Sequence, residues 1–211
     1  MSQDLIIPIS SGFALGSISN NTLSKFMYVG QKGVSYYGEA HLSPWNAWIH
    51  TSMMPFSIYG ILLWIPALLR LNPNYARKLI WFLYYLWGGH YYDMNKLGAL
   101  MYFCMYWYTV NKAVENYKLG YEKIAYGEEK KIESGTSIVN RDYNILAKKI
   151  NTKATWYLFK KGLLYSTLGL TFQEGFGHWL GGDIPSRPEA VLNAIVYATV
   201  SYTHLTLPTK G

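Results

Sequence analysis

The sequence predicts an all-α, polytopic membrane protein with four to five short transmembrane or re-entrant helices and a basic cytosolic helical loop. Three observations predict it. Half of the residues are hydrophobic and 17% aromatic, against 15% charged, a balance too apolar for an ordinary soluble domain. The apolar residues fall in runs that approach bilayer-crossing length, separated by polar turns. The basic residues, which set a net charge of +7, concentrate between those runs. That bias belongs to cytosolic loops of membrane proteins and removes the need for a nucleic-acid partner.

Taken in order, residues 1–37 scatter Ser, Gly and Asn and read as a loosely structured lead-in, without the pattern of a cleavable signal peptide. The membrane-embedded domain is expected over 38–199. Ser43 and Pro44 supply an N-cap and a proline at the first helical position, opening a helix that runs into a first span, Ser52 to Leu71. Pro55 and Pro66 predict kinks within it. After a turn flanked by Arg70, Arg77 and Lys78, two spans follow, Leu79 to Tyr92 and Leu97 to Val110. Each is shorter than the roughly twenty residues that cross a bilayer, which predicts tilt, re-entry or a tight hairpin. Residues 111–155, with nine lysines and arginines, form the solvated helical loop. A fourth span runs from Trp156 to Trp179, and a fifth begins at Ala190 after the turn GGDIPSRPE. Residues 200–211 resemble the translated read-through of a sequencing-library adapter and are set aside, His204 with them.

Threaded alternately through a bilayer, these spans place both basic loops on one side, which the positive-inside bias makes cytosolic. His41, His50, His90 and His178 then fall together on the opposite side. An ionisable group in or beside a span costs free energy unless it is paired, so four histidines at one level predict a metal site. Taken singly, each is equally well explained by an interfacial hydrogen bond. The break at Ser43-Pro44 lets His41 fold back toward His50. Asn46 and His50, at i and i+4, share a helical face, which suits Asn46 to orienting a ligand or substrate. Glu174 and His178 repeat that spacing, so the Glu174 carboxylate either ligates the metal or fixes the imidazole from behind. Asp93, three residues after His90, either supports that imidazole in the same way or is an exposed turn residue. The single cysteine, Cys104, excludes an intramolecular disulfide and thiolate metal chemistry. Imidazole with carboxylate suits iron(II), zinc or manganese.

Two stretches resemble the fungal endoplasmic-reticulum 2-hydroxy fatty acid dioxygenase family, long described as a domain of unknown function. Tyr36 to Pro55, YYGEAHLSPWNAWIHTSMMP, carries the pattern of Tyr, His, four residues, Asn, three residues, His and a nearby Pro, here His41, Asn46, His50 and Pro55. Glu174 to Ile195, EGFGHWLGGDIPSRPEAVLNAI, is similar to that family's Gln-x-x-Gly-His segment, basic-Pro-Ala element and last helix. Glu174 stands where the family usually has Gln, the acidic residue after the histidine is displaced to Asp183, and the basic loop is an insertion. The resemblance implies an Fe(II)-dependent α-oxidation in the endoplasmic-reticulum membrane, in which a 2-hydroxy long-chain fatty acid loses one carbon to dioxygen. On this reading His41, His50, His90 and His178 bind iron, and Glu174 and Asn46 act beside it. Arg187 either pairs with the substrate carboxylate or anchors the chain at the membrane surface. The alternatives are a zinc-dependent membrane lipid amidase or esterase, and a non-enzymatic lipid-binding membrane protein.

Overall fold

The computed structural model describes residues 3–23, 43–94, 96–134 and 143–182. Every regular element among them is helical, as the sequence predicts. After a 3₁₀ turn at Gln3–Leu5, α1 spans Ile6–Leu23, α2 Pro44–Leu68, α3 Pro73–Met94, α4 Lys96–Glu133 and α5 Tyr143–Leu170. A π-helical turn, Thr171–Gly177, carries α5 into the short α6, His178–Gly181. Among the described residues, α2 alone is long and apolar enough to cross a membrane. The expected fifth span from Ala190 lies outside the described residues.

α2 opens where the sequence expects, with Ser43 extended at the N-cap and Pro44 at the first helical position, where a fixed φ and a missing N–H do no harm. Pro55 and Pro66 sit inside the helix. It closes in a Schellman pair: Arg70 N donates to Ala67 O and Leu71 N to Pro66 O, both at 3.0 Å. The left-handed residue of this cap is usually glycine; here it is Arg70, at φ 53°. The turn is clamped by Asn151 Nδ2 donating to Arg70 O at 3.0 Å and by Tyr117 OH donating to Leu71 O at 2.7 Å.

The N-terminal reading needs correcting, because residues 6–23 of the expected loose lead-in form α1, laid along α3. The scattered small residues that obscure this helix in the sequence are its packing face. Gly12 and Gly16, one turn apart, sit against the backbone of Phe82 and Leu86, and Gly89 of α3 sits against Phe13. Small residues four apart let two backbones approach, the commonest device of helices that pack in lipid, where hydrophobic burial between helices is weak. An ion pair between Asp4 and Arg77 ties the start of this pair together.

The run Leu97 to Val110 does not end at Asn111. α4 continues for 38 residues, about 57 Å at 1.5 Å per residue. α5 likewise begins before Trp156, at Tyr143, so the described parts of the basic stretch, up to Glu133 and from Tyr143, are helical, as expected, and belong to the same helices as the apolar runs beside them. Glu128 joins the two helices there. It is buried, with Lys153 at 2.8 Å, Lys149 at 3.1 Å and Lys131 at 3.2 Å. Hydrogen bonding to Lys153 foremost, against the opposing effect of burial, holds its carboxyl down to about 2 from an ordinary 4.5. A carboxyl depressed in the folded state stabilises fully above its unfolded value and ceases to as it protonates. The α4–α5 connection is therefore expected to lose stability as pH falls from about 4.5 toward 2. Melting temperatures across that window check it, and Glu128→Gln should flatten the decline.

Candidate metal centre

The site is placed by the seam between α2 and α5, which run antiparallel. Gly162 of α5 lies so close to α2 that a Cβ there would be 2.6 Å from Trp64 N and 2.7 Å from Gly60 O. Ser57, Gly60, Ser166 and Gly169 complete this line of small residues. It brings the first turns of α2 beside the end of α5. There the π-helical turn takes over, and buried Gln173 donates through Nε2 to Ser57 Oγ at 2.8 Å, fixing the turn to α2. A π-helical turn widens the helix and redirects the side chains beyond it, a distortion frequent at functional sites.

The redirected side chains are Glu174 and His178, which meet His50. One ligand atom from each of His50, Glu174 and His178 lies within 4.8 Å of the other two. His178 Nε2 is 3.4 Å from Glu174 Oε2, and the His50 and His178 rings meet edge to face with centroids 5.6 Å apart. Both imidazoles are buried, 1% and 2% exposed, while Glu174 keeps 21% of its side chain accessible. Asn46, one turn before His50, lies with Nδ2 3.5 Å from His178 Nδ1. With the amide as placed, its N–H donates to Nδ1 and an Nε2–H donates to the Glu174 carboxylate; with the amide turned over, an Nδ1–H donates to its oxygen and the Nε2 lone pair faces the carboxylate instead. Two acceptors facing each other at that distance attract only with a proton or a cation between them.

Donor atoms bound to one cation through bonds near 2.1 Å are separated by roughly 3.0 to 3.4 Å, so the 3.4 Å between Glu174 and His178 suits a shared cation as well as a direct hydrogen bond. Two imidazoles and one carboxylate gathered within 4.8 Å of one another could hold a divalent transition metal, since all three donors are borderline or hard.

Comparison with protein-family models, curated proteins and solved structures returns no match to this chain. The donor geometry therefore stands as the main guide to chemistry.

Of the residues singled out in the sequence, the structure gathers His50, His178, Glu174 and Asn46. His41 and Arg187 lie outside the described residues, as does Asp183. His90, the fourth expected histidine, is 4% exposed and reaches the same end of the bundle, but it is not among the three gathered donors. α3 turns this end toward α1, where a Cβ on Gly16 would lie 2.9 Å from His90 N.

Gly177, Gln173 and Ser57 escaped the sequence reading. A Cβ at Gly177 would fall 2.6 Å from Asn46 Oδ1 and 3.4 Å from His50 Nε2, so Gly177 keeps the room in which the imidazoles meet. The signal for it was the glycine three residues after Glu174 in EGFGH, legible as close backbone approach only once the partner helix is known.

Proposed function

We propose that this chain is a membrane-embedded non-haem iron(II) dioxygenase that shortens 2-hydroxy long-chain fatty acids by one carbon. The observation that carries the reading is the convergence of His50, His178 and Glu174, the two-histidine, one-carboxylate donor set of non-haem iron oxygenases. Iron(II) in such a set supplies open positions for dioxygen and for a substrate that chelates through its carboxylate and hydroxyl. The protein's own part is to orient the His178 imidazole through Asn46, to keep room for both imidazoles at Gly177, and to hold them together through the α2–α5 seam. Glu174 keeps part of its side chain accessible, so substrate would approach from that side.

On this reading α3, α4 and α5 cross the bilayer beside α2. Support comes from large apolar side chains on the outside of a bundle whose interior also holds polar ones. Asn46, His50, Ser57, Ser166 and Gln173 are buried, whereas Phe56, Leu100, Trp107, Leu163, Leu164 and Leu168 face outward. Trp45, Trp48 and Trp179 are exposed at the histidine end, and Trp156 at the other, the arrangement of two interfacial aromatic belts. Trp48 and Leu68 are separated by about 30 Å of helix, one hydrocarbon thickness. The endoplasmic reticulum enters through the sequence resemblance alone.

The test is direct. Protein purified in detergent and loaded anaerobically with iron(II) should consume 2-hydroxypalmitate when oxygen is admitted, with loss of one carbon. Turnover with zinc in the absence of oxygen would favour a hydrolase, and a folded sample that neither binds iron nor turns over would refute the proposal.

A further inference from the structure

At the end of the α2–α5 seam remote from the histidines lies a cavity of about 340 Å³, within the range of small-ligand pockets. Ala67 and Leu68 of α2 and Trp156 and Phe159 of α5 form its apolar walls, and Arg70 stands at its rim. The Trp156 and Phe159 rings stack at 5.5 Å and 11°, which makes one wall a flat aromatic surface. Lys160 Nζ lies over the Trp156 ring, 5.5 Å from its centroid.

The charges here are unbalanced. α5 carries five lysines and no acidic residue, and Lys149 and Lys153 are engaged by Glu128. Among the described residues neither Arg70 nor Lys160 has a carboxylate partner. Arg70 also occupies the left-handed cap position at φ 53°, where glycine would be unstrained. A strained backbone tolerated for a side chain without an internal partner points to a role for that side chain outside the fold.

We infer that this cavity binds an anionic glycerophospholipid. Its acyl chain lies along Trp156, Phe159 and Ala67, and its phosphate is drawn to Arg70, which lines the cavity, and to Lys160, beside the Trp156 wall. The apolar walls select a lipid over free phosphate, and the two cations select an anionic head over a zwitterionic one. This site is about 30 Å of α2 from His50 and independent of the proposed activity.

Native mass spectrometry of the full chain in neutral detergent tests it, with equimolar phosphatidic acid and phosphatidylcholine of identical acyl chains. Each cation is expected to favour the phosphatidic acid adduct about fivefold, near 1 kcal/mol per basic residue. Arg70→Gly should melt no lower than wild type, because glycine suits the cap, and should lose that fivefold preference. Lys160→Gln should do the same to the lipid preference, while Lys118→Gln, on α4 and paired with Glu122, should leave it intact. Equal adducts of the two lipids, a preference undiminished in Arg70→Gly, an equal loss in Lys118→Gln, or displacement by palmitate or inorganic phosphate at equal concentration would each overturn the inference.

Discussion

Replacing His178 by alanine is expected to abolish metal binding while leaving the helical bundle folded. The substitution removes one of three donors whose atoms lie within 4.8 Å of one another, and it takes away the ring nitrogens that lie 3.5 Å from Asn46 Nδ2 and 3.4 Å from Glu174 Oε2. Loss of a group that only orients a ligand weakens metal affinity by about 10- to 100-fold; loss of the ligand itself should exceed that range and take turnover with it. Folding should persist, because the contacts at Gly60, Gly162 and Gly169 and the Gln173–Ser57 hydrogen bond all precede His178 along the seam. Asn46→Ala is the graded companion, expected within the 10- to 100-fold range. Elemental analysis after iron(II) loading, alongside melting temperatures of the metal-free proteins, separates lost donors from lost structure. Full iron content in a folded His178→Ala protein would show that these side chains do not form the site.

How far the site could be read from the sequence follows from the kind of signal each residue leaves. Asn46, His50, Glu174 and His178 were found because polar side chains at i and i+4 inside an apolar run are conspicuous, and because the order of spans brings them to one end. The same threading placed His90 at the correct end but could not report rotation about the α3 axis, and rotation decides whether a side chain faces the α2–α5 seam. Gly12 and Gly16 fall among the scattered small residues that read as a loose lead-in, since glycine signals a loop and a close helix contact with the same letter. A boundary at Asn111 rests on charge alone, yet lysine and glutamate are good helix formers, so α4 continues from apolar into charged sequence without a break.

The glycines of the seam carry the largest expected effect on stability. At Gly60 an added Cβ would collide with Ser166 N, Ser166 Oγ and Gly162 O. Two of these atoms are main chain, and they can move only if α5 shifts away from α2. Gly60→Leu is therefore expected to destabilise by more than about 3 kcal/mol, the upper part of the range for overpacked cores, or to prevent folding. Gly60→Ala should follow the same direction with a smaller loss, and it is the variant to load with iron, because separation of α2 from α5 also separates His50 from His178. Gly127 provides the opposite sign. It lies within α4 with nothing inside 4 Å of an added Cβ, so Gly127→Ala should gain about 0.5–1 kcal/mol from helix propensity alone. Melting temperatures in one detergent compare the pair. A Gly60→Ala protein as stable as Gly127→Ala and fully loaded with iron would mean that the two helices are not in main-chain contact and that the seam does not set the distance between the histidines.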